Sequence, residues 1–195
     1  ERVREKARSR EPLTVLGWGT KSPKELRARE SECLTTRPLS AIRELDRANF
    51  TLTVEAGISP SELKVKVEPH GVFVPVPLTP GTLGGLIATK AWPGLRDHLL
   101  GMRVLLADGS VAELGAPVVK SVAGYDVPRL LLGSWGTLAV ILEVTLKVYA
   151  SRLELPSGLA APRPPPVGVW HRRLKEAFDP EGRLNRWVEE AHGAG

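Results

Sequence analysis

Residues 73–85 read FVPVPLTPGTLGG, and no other stretch restricts the fold as strongly. Pro75, Pro77 and Pro80 each lack a backbone N–H, which excludes the stretch from the middle of a sheet and predicts an extended loop. Gly81, Gly84 and Gly85 then supply positions where φ can be positive, or where a ligand or another backbone can approach closely. A helix is expected over about Thr82–Lys90. Exposed N–H groups ahead of a helix can form an anion-binding concavity, and the helix start adds the positive end of its dipole. On these grounds PGTLGG could cradle a diphosphate. Glycine-rich turns are also common as purely structural features, so spacing alone leaves both readings open.

Two more glycine-rich junctions share this character, GWGT at Gly17–Thr20 and GSWGTL at Gly133–Leu138. Neither completes a standard nucleotide motif. Thr20 intervenes between Gly19 and Lys21, which puts the lysine out of register for a phosphate-binding P-loop. Gly17 and Gly19 are followed three positions on by Ser22, so the dinucleotide fingerprint G-x-G-x-x-G is missing as well.

Around these junctions the chain alternates short strands and helices. Leu13–Leu16 reads as a buried strand ending at glycine. Pro38–Ala48 reads as a helix, with Leu39, Ile42 and Leu45 at three-residue steps and Pro38 placed to start it. Phe50–Glu55 alternates as a strand does. Ser59, Pro60 and Glu62 carry a helix-start signature. Met102–Ala107 and Ser110–Leu114 flank Asp108-Gly109, a two-residue hairpin signal. Leu138–Val148 alternates as a closing strand. Prolines 156, 162, 164, 165 and 166 then mark a stiff linker, and His171–Ala191 has room for one or two short helices.

Composition removes several classes of function. Apolar residues are 42% of the 195 and charged residues 25%, values of a folded globular chain. No apolar run reaches the ~18 residues of a membrane span. The start ERVREKARSR lacks the apolar middle of a signal peptide, and Cys33 is the single cysteine, which together favour a reducing, cytoplasmic compartment. One cysteine and four histidines without close pairing exclude a zinc ribbon or finger. The net charge of +5 is scattered; its one cluster, Arg2 to Arg10, is broken by Glu1, Glu5 and Glu11 and reads as a solvated helix rather than a nucleic-acid arm. Glutamine is absent and only Asn49, Asn185 and Met102 represent their types, a depletion that suits a thermophile or a biased genome.

The ordered set is more specific than its parts. VLGWGT, LTVEAGISPSEL, PGTLGGLIAT, DHLLGMRVLLADGSV, KSVAGYDVPRLLLGSWGTLAVILEVTLKV and KEAFDPEGRLN follow one another along the chain. This set resembles the FAD-linked oxidases of the vanillyl-alcohol oxidase / p-cresol methylhydroxylase (PCMH) type, and within them the branch of flavin-binding E subunits of bacterial glycolate oxidase. The resemblance implies an α+β fold: a two-subdomain FAD-binding module of the PCMH type. It would span residues 1–150, with subdomains of about 1–77 and 78–150 and FAD in the crevice between them. Residues 151–169 would then be a proline-rich linker and 170–195 a C-terminal helical segment.

Carried over residue by residue, the resemblance places Gly17, Trp18, Gly19 and Thr20 in the first pyrophosphate loop and Pro80, Gly81, Thr82, Gly84 and Gly85 in the second. It puts Thr89 near the isoalloxazine or ribityl chain. Ala123, Gly124 and Asp126 would lie near the cofactor, and Gly136, Leu138 and Ile141 would supply contacts at its nucleotide end. No histidine is near either phosphate loop, so noncovalent FAD is implied.

Two departures accompany the match. Relatives usually have glycine where Trp18 stands. The substrate cap domain, which full-length relatives carry before the FDP signature, is absent or vestigial here: Ala150 leads to Phe178-Asp179-Pro180 through a short bridge. Oxidising a 2-hydroxy acid also needs a carboxylate clamp and a base, for which Arg96, Asp97, His98, Lys120, Tyr125 and Asp126 are the remaining polar candidates. The expectation is therefore a subunit that works beside a larger catalytic flavoprotein subunit and an iron–sulfur subunit on a small 2-hydroxy acid such as glycolate. It would be cytoplasmic, or membrane-associated through those partners. A degenerate flavin fold serving as an assembly subunit is the alternative.

Overall fold

The computed structural model describes residues 11–28, 33–115, 127–155, 162–164 and 168–193. Its centre is β7 (Val140–Lys147), flanked by β4 (Thr51–Glu55) and β5 (Leu99–Leu105). With β3 (Ile42–Asp46) and β6 (Val111–Gly115) at the edges, these strands make an antiparallel sheet in the order β3-β4-β7-β5-β6. Apart from it, β1 (Val15–Leu16) and β2 (Leu34–Thr35) form a parallel pair. Residues on either side of position 77 share the large sheet, because β4 pairs with β7 along its whole length.

Helices cover the sheet: α1 (Lys24–Ala28), α2 (Pro60–Val67), α3 (Leu83–Thr89), α4 (Val127–Leu130), α5 (Val169–Phe178) and α6 (Trp187–Gly193). Leu52, Val54, Val144 and Leu146 from the paired centre of the sheet pack with Leu63, Leu83, Leu86 and Ile87 of α2 and α3, all fully buried. Each such side chain contributes about 1.5–3 kcal/mol by leaving water.

Local signals account for most boundaries. Ser59 caps α2, its Oγ accepting from the Glu62 N–H at 3.1 Å, while the Glu62 carboxylate pairs with Lys66. Thr82 caps α3 in the same way, and Lys90 ends it at φ 49°. The β5–β6 hairpin forms, but its turn is longer than two residues: Gly109 N–H donates to Leu106 C=O, and Gly109 takes φ 85°. That is the turn-plus-left-handed-glycine arrangement of a three-residue loop. Asp108 steadies it by accepting from the N–H and hydroxyl of Ser110.

The helix expected over Pro38–Ala48 is a strand instead. Ile42–Asp46 pairs antiparallel with β4, turning back through Asp46, whose carboxylate takes both the N–H and the side-chain amide of Asn49. An eleven-residue amphipathic stretch nucleates a helix poorly, and the edge of β4 offers it ladder hydrogen bonds. Glu55 secures the pairing by accepting from Ala41 N–H and from Arg43.

The FDPEGRLN signature forms a knot. Lys175 on α5 is 7% exposed and its Nζ donates to Asp179 at 2.7 Å, Leu184 C=O at 2.7 Å and Thr137 C=O at 2.8 Å. Asp179, 1% exposed, also accepts from Leu184 N–H. Leu184 forms a parallel bridge with Leu13, so the segment runs beside the chain entering β1. Burial pushes the Asp179 carboxyl up, but the N–H groups of Arg183 and Leu184 together with Lys175 outweigh it and hold the carboxyl below its ordinary value of 3.8.

Replacing Lys175 with Met strands Asp179 in the interior and should cost about 3–5 kcal/mol in urea unfolding. Because the folded Asp179 pKa lies below the unfolded value, its contribution is present above about pH 4. It fades as pH falls below that toward the depressed value. Asp179→Asn should be less stable at neutral pH and should lose that part of the acid slope, measured by urea midpoints from pH 6 down to pH 3.

Candidate functional site

A cleft opens where the loop after β1, the start of α3, the turn before β7 and the chain after the FDP signature converge. Its walls are Val15–Ser22, Thr36, Thr82, Gly84, Gly85, Ala88, Thr89, Trp135, Gly136, Ala139–Ile141, Asn185 and Trp187. The parallel pairing of β1 with β2 aims the first loop at the cleft, since the chain turns immediately after Leu16. Gly19 sits at φ 64° in that turn, and Ser22 N–H closes onto Gly19 C=O.

Close approach explains several glycines. A methyl group on Gly17 would stand 2.4 Å from Thr82 Oγ1, so the two loops meet only because this position has no side chain. Gly81, at φ 115°, lets Thr20 and Lys21 reach across: Lys21 Nζ donates to Pro80 C=O at 3.0 Å. Gly84 admits α3 against the end of β4, where a methyl would lie 3.0 Å from Ala56 Cβ.

The α3 start does not serve the role that a free helix N-terminus would. Leu83 N–H donates to Ile58 C=O, Gly84 N–H to Ala56 C=O and Gly85 N–H to Thr82 Oγ1. These donors anchor the helix to the strand end, so PGTLGG shapes the cleft while its first helical N–H groups are already satisfied. Among the described residues no acceptor takes the N–H groups of Trp18, Gly19 and Thr20.

The far wall depends on Asn185. Buried at φ 46°, it accepts from Val15 N–H at 2.7 Å and donates to Trp135 C=O at 2.6 Å, joining β1 to the Gly136 turn. Trp135 and Trp187 pack edge-to-face at 5.8 Å, and Nε1 of Trp187 is buried with no acceptor among the described residues. Trp18 is 46% exposed and borders the first loop.

Of the residues expected at the site, the structure brings together Gly17, Trp18, Gly19, Thr20, Thr82, Gly84, Gly85, Thr89, Gly136 and Ile141. Pro80 and Gly81 sit just behind the walls, joined to them through Lys21 and Thr20. Leu138 is 2% exposed and belongs to the core rather than the cleft. Ala123, Gly124 and Asp126, with Lys120 and Tyr125, lie outside the described residues. Arg96, Asp97 and His98 do not line the cleft. They precede β5 beside Lys147, whereas the cleft meets β7 at Val140 and Ile141, about 20 Å along the strand. His98 is half-buried there, bonded to Tyr149 OH at 2.9 Å and stacked on Trp92; burial chiefly, with Lys147, holds its pKa down against Asp97.

Sequence reasoning missed Lys21, Trp135, Asn185 and Trp187. Trp135 lay inside a motif already singled out, and Asn185 closed the FDP signature, which had no assigned role.

A long cleft floored by glycine and alanine, with free loop N–H groups and aromatic walls, has the features of a dinucleotide site. The chain belongs to the family of FAD binding domains, whose match covers residues 1–115, and FAD is the cofactor this class takes. Among its relatives, a mitochondrial D-lactate dehydrogenase [cytochrome] of Arabidopsis thaliana is 34% identical over 124 residues, covering 60% of this chain and 22% of that protein. Glycolate oxidase subunit GlcE of Escherichia coli is 30% identical over 159 residues, covering 76% of this chain and 45% of that protein. The chain therefore spans less than half of either relative. The same fold occurs in alkyldihydroxyacetonephosphate synthase, with TM-score 0.59, 24% identity and coverage of 76% of this chain and 29% of that one.

The residues present fit FAD. Loop N–H groups and close-approach glycines suit a diphosphate, and Trp135, Ala139 and Ile141 suit flat apolar rings. Histidine, cysteine and tyrosine do not line the cleft among the described residues.

Gly17→Ala should force the two loops apart by about 1–3 kcal/mol of overpacking, read as roughly tenfold or weaker FAD binding by fluorescence titration. Gly17→Ala/Thr82→Ala removes the clashing oxygen and should recover most of that affinity, while losing about 1 kcal/mol of stability with the α3 cap.

Proposed function

We propose that this chain is the FAD-binding subunit of a glycolate oxidase (dehydrogenase) type complex that oxidises a small 2-hydroxy acid. The observation that carries this reading is the conjunction of a cleft suited to FAD with the short path from β7 to α5. Only 21 residues separate Lys147 from Val169, where a substrate domain would be inserted. The relatives printed as D-lactate dehydrogenase and as a glycolate oxidase subunit support the substrate class.

Within the cleft, the N–H groups of Trp18, Gly19 and Thr20 would hold the diphosphate, and Thr82 would keep α3 docked behind it. Trp135, Ala139 and Ile141 would exclude water from the apolar rings, and Asn185 keeps that wall in place. Bound FAD supplies a ring that accepts a hydride from the carbon bearing the hydroxyl, turning a 2-hydroxy acid into a 2-oxo acid. The hydroxyl proton needs a base and the substrate carboxylate a cationic clamp. Of the candidates, Arg96, Asp97 and His98 do not line the cleft and Lys120, Tyr125 and Asp126 lie outside the described residues; both groups are assigned to a larger flavoprotein subunit. An iron–sulfur subunit is the assigned electron acceptor.

No helix among the described residues is long and apolar enough to cross a membrane; a cytoplasmic complex, reaching a membrane only through other subunits, is part of the proposal. A second reading, a scaffold that retains the fold without turnover, draws on Trp18, whose bulk stands beside the diphosphate loop.

The purified chain should take up FAD stoichiometrically and show flavin absorbance. Glycolate or D-lactate should bleach that absorbance only when the partner subunits are present. A colourless chain with no thermal shift in excess FAD would leave the scaffold reading; bleaching of the isolated chain would show that it carries its own base.

A further inference from the structure

Lys21 is the only charged side chain among the described residues that line the cleft. As a sequence feature it resembles the lysine of a P-loop but is out of register for one. In three dimensions it stands at the junction of the two glycine loops. Its Nζ lies 3.0 Å from Pro80 C=O and 3.2 Å from Thr20 Oγ1, and it crosses to the second loop because Gly81 has no Cβ. No carboxylate lines the cleft among the described residues, so the ammonium has only neutral oxygens as partners there.

A diphosphate brings two negative charges to this point. The first three N–H groups of α3 are already bonded to Ile58, Ala56 and Thr82, which leaves, among the described residues, loop amides and Lys21 as the sources of positive potential at the cleft. We propose that Lys21 is the residue that reads the diphosphate of the cofactor, exchanging its contact with Pro80 C=O for a phosphate oxygen and so favouring FAD over an unphosphorylated flavin. Burial already lowers the Lys21 pKa, which fits an ammonium waiting for an anion in place of lost water. This assignment rests on FAD occupying the cleft.

The test compares the wild-type chain, Lys21→Met and Lys21→Arg, titrated with FAD and with riboflavin by tryptophan fluorescence, at two salt concentrations. Lys21→Met should weaken FAD roughly tenfold or more, the scale of a charge-assisted hydrogen bond. It should leave riboflavin within about twofold and flatten the salt dependence of FAD binding. Lys21→Arg keeps the charge and should stay within roughly threefold of wild type. Equal losses for FAD and riboflavin, or an unchanged salt dependence, would make Lys21 a loop tie only and overturn the proposal. Unchanged FAD binding in Lys21→Met overturns it too, with the cofactor reading intact. A wild-type chain that binds no FAD would overturn both.

Discussion

The ammonium of Lys175 has three oxygens around it, from Asp179, Leu184 and Thr137, and each belongs to a part of the chain that the cleft requires. Thr137 follows the Gly136 turn, Leu184 precedes Asn185, and Asp179 is the hinge between α5 and the returning segment. A lysine and an aspartate this deeply buried would be a liability if either stood alone. Here Asp179 Oδ2 takes both Lys175 and the Leu184 N–H, while Oδ1 is buried with no hydrogen-bond partner among the described residues; through Thr137 C=O the lysine also ties the returning segment to the turn before β7. Arg183 adds a fourth tie, donating to Ala107 C=O at 2.9 Å next to the β5–β6 hairpin. The wall that carries Trp135 and Trp187 depends on this knot, because Asn185 can reach both Val15 and Trp135 only from the end of a firmly held segment.

Against that wall stands a surface built by close approach. Gly17 meets Thr82, Gly84 meets Ala56, and Gly81 admits Lys21; each contact is shorter than a side chain would permit. The cost is that the first N–H groups of α3 are taken by Ala56 and Ile58 just beyond β4 and by Thr82, so the helix contributes position rather than charge. On the proposed reading, recognition of the diphosphate falls to the first loop and Lys21. Among the described residues Lys21 is the one ionisable side chain lining the cleft, with no carboxylate or histidine beside it, and the proposed chemistry is accordingly shared with other chains.

Much of the fold was legible wherever a signal lies within a few residues of what it controls. Ser59 and Thr82 cap their helices through bonds three residues away, and Asp108-Gly109 turns the chain through its own side chain and a left-handed glycine. Ile42–Asp46 was not legible in this way. Its spacing suits a helix, and only β4, arriving as its partner, makes a strand the better state. The same limit applies in the cleft. Gly17, Gly19, Thr82 and Gly136 announce themselves by type and motif, whereas Lys21 has meaning only once Pro80, some sixty positions on, is beside it. Leu138 shows the converse: it sits in a motif whose glycine faces the cleft, yet its own side chain, 2% exposed, packs in the core.

The amino-acid order by itself determined where backbone must be bare, where helices start, and where prolines forbid a sheet, because those choices are settled by φ, by a missing N–H or by a side chain within one turn. Together with the succession of motifs, it also determined the class of cofactor. What only the tertiary structure decided is which bare backbone faces a ligand. PGTLGG, the feature that most restricted the fold, spends its first helix N–H groups on Ala56 and Ile58 just beyond β4 and on its own cap Thr82, and the positive charge proposed for the site is that of a lysine no local rule would have chosen. The physical reason is distance along the chain: hydrogen bonds and charge contacts across 50 to 170 residues depend on how the sheet and the Lys175 knot bring those segments together.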